Sequence, residues 1–420
     1  METLEILAII VFIITYLLIA VNKTPWFEIK RSYAALLGAV LMLIIGALSL
    51  TDAFDSIDFK VLLLLLGMMA LVAGLEYTGF FTLISEALLR YSGSGAKLLL
   101  IIMCLSALLS AIALNDAIVL MFTPIVIRCC HKLNVNPIPY LVGLMMSANI
   151  GSIATAVGNP QNAYIASHAN IDFGHFCMYS LPIAISCLIV TYILLYLIFK
   201  RSFSKKYEYE LIEENERAID EKRLKIMLAI VVLTFIGFTV TGMSAIELYQ
   251  VALVAGLASL IVVCTSSVKD TVWVAKKVDW HILLFFIGLF ILIGGASRSG
   301  LIADLASMIP GFRAGETPDA VSLSIFSVVL SNLVSNVPAV MLIMNMMPNA
   351  DLMLCITLAA SSTLAGNTTL LGSATNIIVA ERSERYGINI DFFRFMAVGV
   401  IVTIATICVM LLCINLMFIS

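Results

Sequence analysis

The 420-residue chain is 61% hydrophobic and only 12% charged, with a mean hydropathy of +1.07, values that exclude a soluble globular protein and place it in a lipid bilayer. A formal net charge of −3 offers no nucleic-acid-binding surface. The nine cysteines are scattered through apolar segments without CxxC spacing, which argues against a disulfide framework and against a zinc site.

Along the chain, the first apolar run, 4–21, follows an acidic start and has no small-residue cleavage site, so it reads as a retained span. Runs at 33–51, 59–77, 177–199, 224–242, 245–265, 280–297 and 394–418 come close to the roughly 20 residues that a crossing needs. Two more, at 138–168 and 350–380, are interrupted by Gly, Asn and Thr, which makes ten crossings with two broken helices. Two segments between them are apolar but awkward. The first, 98–114, runs into Asn115-Asp116 with a short apolar arm before Arg128, and in the second, two short arms flank the run from Ser331 to Asn336. Arms that short are expected to form re-entrant hairpins with polar tips at mid-membrane. The one long hydrophilic stretch, 200–223, reads as a linker.

The chain is also duplicated. IDFKVLLLLLGMMALVAGLEYTG at 57–79 returns as VDWHILLFFIGLFILIGGASRSG at 278–300, which pairs Asp58 with Asp279 and Gly67 with Gly288. Asn115 and Asn336 keep the same separation as those aspartates. Further on, TAVGNPQN at 155–162 is answered by TLLGSATN at 369–376, and Asn170-Ile-Asp-Phe by Asn389-Ile-Asp-Phe. With the N-terminus outside, most Lys and Arg fall on the inner loops, among them Lys30, Arg31, Arg90, Arg128 and the basic cluster 200–225, as the positive-inside rule requires. The first hairpin then enters from inside and the second from outside, so the halves are inverted.

The expected fold is therefore an all-α polytopic membrane protein, an inverted-repeat transporter with about ten transmembrane helices, two re-entrant hairpins and two broken helices. Residues 1–57 form N-terminal scaffold helices, 58–199 the first repeat, 200–223 a cytoplasmic linker, 224–278 further scaffold helices and 279–420 the second repeat. Both termini lie outside the cell membrane.

Polar breaks inside a bilayer are costly unless they line a cavity or are buried in protein. Each break ends a half-helix, freeing carbonyls for a cation at one end and N–H groups for an anion at the other. Gly158 and Gly372 are read as supplying unusual backbone angles, and Pro160 and Pro338 as capping the breaks. The candidate substrate residues are the tip positions Asn115, Asp116, Ala117, Ser335, Asn336 and Val337, with Asn159 and Thr375 from the breaks. Asp116, the one acid deep in an apolar segment, is read as a cation or proton-coupling group, with helix capping as its structural alternative. Asp58 and Asp279 read as N-caps, and Glu76 and Glu381 as interfacial. His131, His168, His175 and His281 lack ligand spacing, and Cys129-Cys130 lies near the inner surface, away from the tips.

LNDAIVLMFTP, SANIGSIATAVGNPQN, LSNLVSNVPAV and AGNTTLLGSATN resemble the ion transporter superfamily of citrate-transporter-like and arsenite-permease-like proteins, closest to its bacterial and archaeal anion permeases. The resemblance runs from about Asp58 to the C-terminus. It implies a scaffold, a mobile transport unit, a homodimer and coupling cations held between each tip and its neighbouring break. Carried onto this chain, those are Asn115, Asp116, Thr155, Gly158 and Asn162 in the first half and Asn336, Thr369, Gly372 and Asn376 in the second. Where the dicarboxylate branch has Ser-Asn-Thr tips, the Asn is kept here in both and the hydroxyls are mostly gone. The expected function is secondary active transport of a small anion, an inorganic oxyanion or a carboxylate, coupled to Na⁺ or H⁺, with no other cofactor. Cation/proton antiport and arsenite efflux are the rivals. An intramembrane enzyme is a different class, for which no HExxH or Asp-rich metal motif is present.

Overall fold

The computed structural model describes residues 3–20, 29–91, 94–203, 219–242, 246–264, 268–313 and 316–418. Most of the expected linker, 204–218, lies outside the described residues. Every regular element among the described residues is helical. The first ten α-helices are α1 (Thr3–Ala20), α2 (Arg31–Ile44), α3 (Leu50–Asp55), α4 (Phe59–Tyr77), α5 (Phe80–Tyr91), α6 (Gly95–Ile112), α7 (Asn115–Lys132), α8 (Ile138–Ser152), α9 (Pro160–His168) and α10 (Phe173–Phe199). The next ten repeat the order: α11 (Glu221–Thr241), α12 (Leu248–Cys264), α13 (Val268–Lys277), α14 (Trp280–Arg298), α15 (Leu301–Met308), α16 (Ala320–Val334), α17 (Asn336–Met346), α18 (Leu352–Ala365), α19 (Ala374–Glu384) and α20 (Phe392–Phe418).

Recurring capping residues start these helices in register. Asp58 accepts from Val61 N at the head of α4, and Asp279 accepts from His281 N and Ile282 N at the head of α14. The repeated Asn-Ile-Asp-Phe motif has the same purpose. Its aspartates, Asp172 and Asp391, accept from His175 N at 3.0 Å and Arg394 N at 2.7 Å, opening α10 and α20.

Packing then exchanges partners between the halves. α4 lies against α12, while its counterpart α14 lies against α2. The duplicated glycines sit where these backbones touch: a Cβ at Gly67 would stand 2.3 Å from Ala252 O, and one at Gly288 would stand 2.6 Å from the carbonyl carbon of Ala35. Small residues at such crossings let helices pack closely where lipid supplies no hydrophobic drive. The end of each repeated helix meets the start of the other. Arg298 at the end of α14 pairs with Asp52 of α3 at 2.8 Å, and Glu76 at the end of α4 pairs with Lys277 just before α14 at 2.5 Å. Helices α4 and α14 are thus antiparallel, and the repeat is inverted.

Among the described residues six helices, α4, α6, α10, α11, α14 and α20, are long and apolar enough to cross a membrane by themselves. Large apolar side chains are exposed on the outward faces, including Leu197, Leu233, Val254, Ile261 and Ile404, each more than 60% accessible. A belt of that kind is covered by lipid. Two differences from the sequence reading stand out. The arms of the first hairpin are full helices of 18 residues each, because Ser94 caps α6 early and α7 runs on past Arg128 to Lys132. The short helices α3, α5, α13 and α15 were not anticipated, being too brief for a crossing-length window.

Candidate functional site

Each hairpin tip is closed against the break of its own half. In the first, Asn115 N donates to Gly158 O at 3.0 Å and Thr155 Oγ1 donates to Ala111 O at 2.7 Å. Gly158 is required by proximity: a Cβ there would lie 2.5 Å from Ser152 O and 2.8 Å from Ser110 O. Gly158 and Gly372 are not among the positive-φ residues, so the expectation of unusual backbone angles is corrected to one of close approach. Asn159 accepts from Asn162 N at 2.8 Å and caps α9, with Pro160 at the first helical position.

The second junction repeats the plan with different atoms. Ser335 takes φ 78° and ψ 158°, a region that non-glycine residues rarely occupy and that costs about 1–3 kcal/mol. Asn336, with its amide nitrogen facing the break, donates to Ser362 O at 3.1 Å and Gly372 O at 3.0 Å. Thr369 Oγ1 donates to Asn332 Oδ1 at 3.2 Å, and a Cβ at Gly372 would lie 2.9 Å from the same oxygen.

Asn162 and Asn376 hold the two breaks in shape. Asn162 Nδ2 donates to Ser152 O and Thr155 O at 3.0 and 3.1 Å, and Asn376 Nδ2 to Gly366 O and Thr369 O at 2.7 and 3.0 Å. Two carbonyls at each break are therefore satisfied internally. Asn162 Oδ1 remains buried without a partner.

Hydrogen bonds then join one half to the other. Asn115 Nδ2 donates to Thr375 Oγ1 at 2.9 Å, and Thr375 Oγ1 donates to Asp116 Oδ1 at 2.6 Å. Asp116 is thus bound to the second break; it does not cap α7, which begins at Asn115 with Leu114 as its N-cap. Asn149 of α8 donates to Asn367 Oδ1 at 2.9 Å and Asn376 Oδ1 at 3.3 Å, and accepts from Ser373 Oγ at 3.1 Å. In the opposite sense, Gln161 Nε2 donates to Thr363 Oγ1 at 3.2 Å. Asn149, Gln161, Thr363, Asn367 and Ser373 were not singled out from the sequence, although a fully buried Asn in an apolar helix is itself a signal. Val337 sits half-buried in the first turn of α17 and offers only packing.

Two cavities flank this junction at opposite ends of α4 and α14. One, about 60 Å³, is lined by Leu114, Asp116, Ala117, Glu76, Lys277 and Asp279 among others, and so reaches the first tip. Its counterpart in the repeat, about 260 Å³, is lined by Asp58, Tyr164, His168, Ser297, Met341 and Asn345 among others, without Ser335, Asn336 or Val337. The first carries the Glu76–Lys277 ion pair, with Lys277 5.0 Å from the Trp273 ring centre. The equivalent positions, Ser297 and Ser56, are uncharged. A larger cavity of about 380 Å³, between Lys60, Asp172 and Glu247, contains neither tip, and its size is no guide to the chemistry.

The family model described as "Citrate transporter" matches residues 16–353. The chain belongs to that family. This citrate transporter family member is 30% identical to a 46 kDa membrane protein of Mycobacterium leprae over 96% of both chains. It is 27% identical to the silicon efflux transporter LSI3 of Oryza sativa subsp. japonica over 90% of both. The fold is similar to the crystal structure of the YdaH transporter of Alcanivorax borkumensis, with a TM-score of 0.57, 15% identity and 98% of both chains covered. Family and helices together make the family member a multi-pass membrane protein of the ion transporter superfamily.

Proposed function

We propose that the chain is a secondary active carrier that moves a small anion, an inorganic oxyanion or a carboxylate, coupled to Na⁺ or H⁺ by alternating access. The observation that carries this reading is the junction itself, where side-chain hydrogen bonds join the first tip and α8 to the second break across the halves, and the second tip closes on its own break. In an inverted repeat, exchanging the conformations of the halves turns a cavity open to one side into one open to the other. The 60 Å³ cavity beneath Asp116 is the cytoplasmic approach and the 260 Å³ cavity the external one. The Glu76–Lys277 pair closes the inner mouth. Coupling cations sit at the junctions, at Asn115, Asp116, Thr155, Gly158 and Asn162 and at Asn336, Thr369, Gly372 and Asn376. The carrier works in the plasma membrane as a homodimer with both termini outside, and it needs no further cofactor.

One observation favours a second reading. The cavity at Asp116 holds three carboxyl groups, Glu76, Asp116 and Asp279, against the single ammonium of Lys277, a lining that attracts cations more than anions. That lining supports cation/proton antiport centred on Asp116.

Proteoliposomes separate the two. Sulfate, phosphate, arsenite, succinate and citrate would be offered under imposed Na⁺ or H⁺ gradients. The carrier reading expects at least one anion to accumulate against its gradient. Gradient-dependent Na⁺/H⁺ exchange with no anion movement would select the antiport reading instead.

A further inference from the structure

Arg31, which the charge pattern groups with the inner-loop cations, is placed elsewhere by the fold. It opens α2, the helix packed on α14, and its Nη1 stands 3.5 Å from Ser335 Oγ at the strained tip of the second hairpin. It also lies within electrostatic reach of Asp116 at the first tip and of Glu381 on α19. Neither carboxylate closes an ion pair with it, and its Nε–H is buried without an acceptor. An unused donor on a buried guanidinium is expensive unless something fills it.

The repeat sharpens the point. At the equivalent position α12 opens with Leu248, and the neighbouring contacts have diverged too: Lys60 pairs with Glu247 at 2.6 Å on one face, whereas Lys30 meets His281 at 2.9 Å on the other. The guanidinium is therefore not a by-product of duplication. It places a fixed positive charge beside an otherwise acidic junction. A planar fork of N–H donors matches the paired oxygens of a carboxylate or tetrahedral oxyanion.

Building on the carrier reading above, we propose that Arg31 binds the substrate anion, with its guanidinium engaging the anion's oxygens at the second tip beside Ser335. The reach from α2 to Ser335 and the buried, unfilled Nε–H both favour this placement. Because α2 packs on α14 while Ser335 belongs to a hairpin tip, the anion bridges two packing units, and a shift of the tip relative to α2 breaks its hold.

The test uses the full chain in proteoliposomes, with labelled citrate, sulfate and inorganic phosphate as probes, in wild type, Arg31→Gln and Arg31→Lys. For the probe that wild type accumulates, Arg31→Gln is expected to raise the half-saturation concentration about 10- to 100-fold, the size of one lost hydrogen bond to a charged group. Arg31→Lys should fall between, with an unchanged unfolding temperature. A half-saturation value in Arg31→Gln within about twofold of wild type would remove Arg31 from the site. So would equal failure of both variants accompanied by lowered thermal stability, which marks a purely structural counter-charge. If wild type accumulates none of these three, nor succinate or arsenite, the carrier reading falls and the proposal falls with it. Accumulation by wild type with an indifferent Arg31→Gln defeats the proposal alone.

Discussion

At the residue scale, the asparagines separate into two kinds of work. Asn162 and Asn376 each satisfy two carbonyls of their own break, so Asn162→Ala and Asn376→Ala should both lower stability. The expected loss is about 1–3 kcal/mol for the orphaned groups, read from thermal melts in detergent; an unchanged melt would show that the breaks hold without them. Gly158→Ala should destabilise by a similar 1–3 kcal/mol or more, since its new methyl meets backbone that cannot move aside. Asp116 is different. Asp116→Asn can still accept from Thr375 Oγ1, so fold and expression should survive while the Na⁺ or H⁺ dependence of flux changes; an unaltered dependence would return the residue to a structural role. Duplication made Asn115, Asn162, Asn336 and Asn376 legible because each has a matching partner. It concealed Asn149 and Asn367, whose repeat counterparts are Thr363 and Ile153. Their bond to each other crosses between the halves, and no spacing in the sequence encodes it.

At the scale of elements, the crossing helices could be read from apolar length, and the tips from polar residues stranded between short arms. The hairpin arms of the first half proved longer than the apolar count suggested, since the helix continues through Arg128 and His131 to Lys132. The ion pair between the ends of α4 and α13 gives this scale its own prediction. Glu76→Gln or Lys277→Met should speed thiol labelling of Ala117→Cys in the cavity wall, and the reversed pair Glu76→Lys with Lys277→Glu should restore the wild-type rate. Labelling that is indifferent to all three changes would mean that the pair does not guard the cavity.

For the whole molecule, the antiparallel repeat followed from the duplication together with the charge bias of the loops. The exchange of partners, α4 on α12 and α14 on α2, did not. Gly67 and Gly288 stood out in the sequence only as a matched pair, and the close approach they allow became visible with the fold. Two copies so interlocked share a single polar junction, and transport is expected to run through it. The most direct check is gradient-driven citrate, sulfate or phosphate uptake by purified protein in sealed vesicles, with wild type beside Asn115→Ala and Asn336→Ala. We expect wild type to concentrate at least one of these anions only under an inward Na⁺ or H⁺ gradient, and both folded variants to lose that accumulation. Full accumulation by both variants, or a wild-type flux that runs only downhill whatever the gradient, would contradict it.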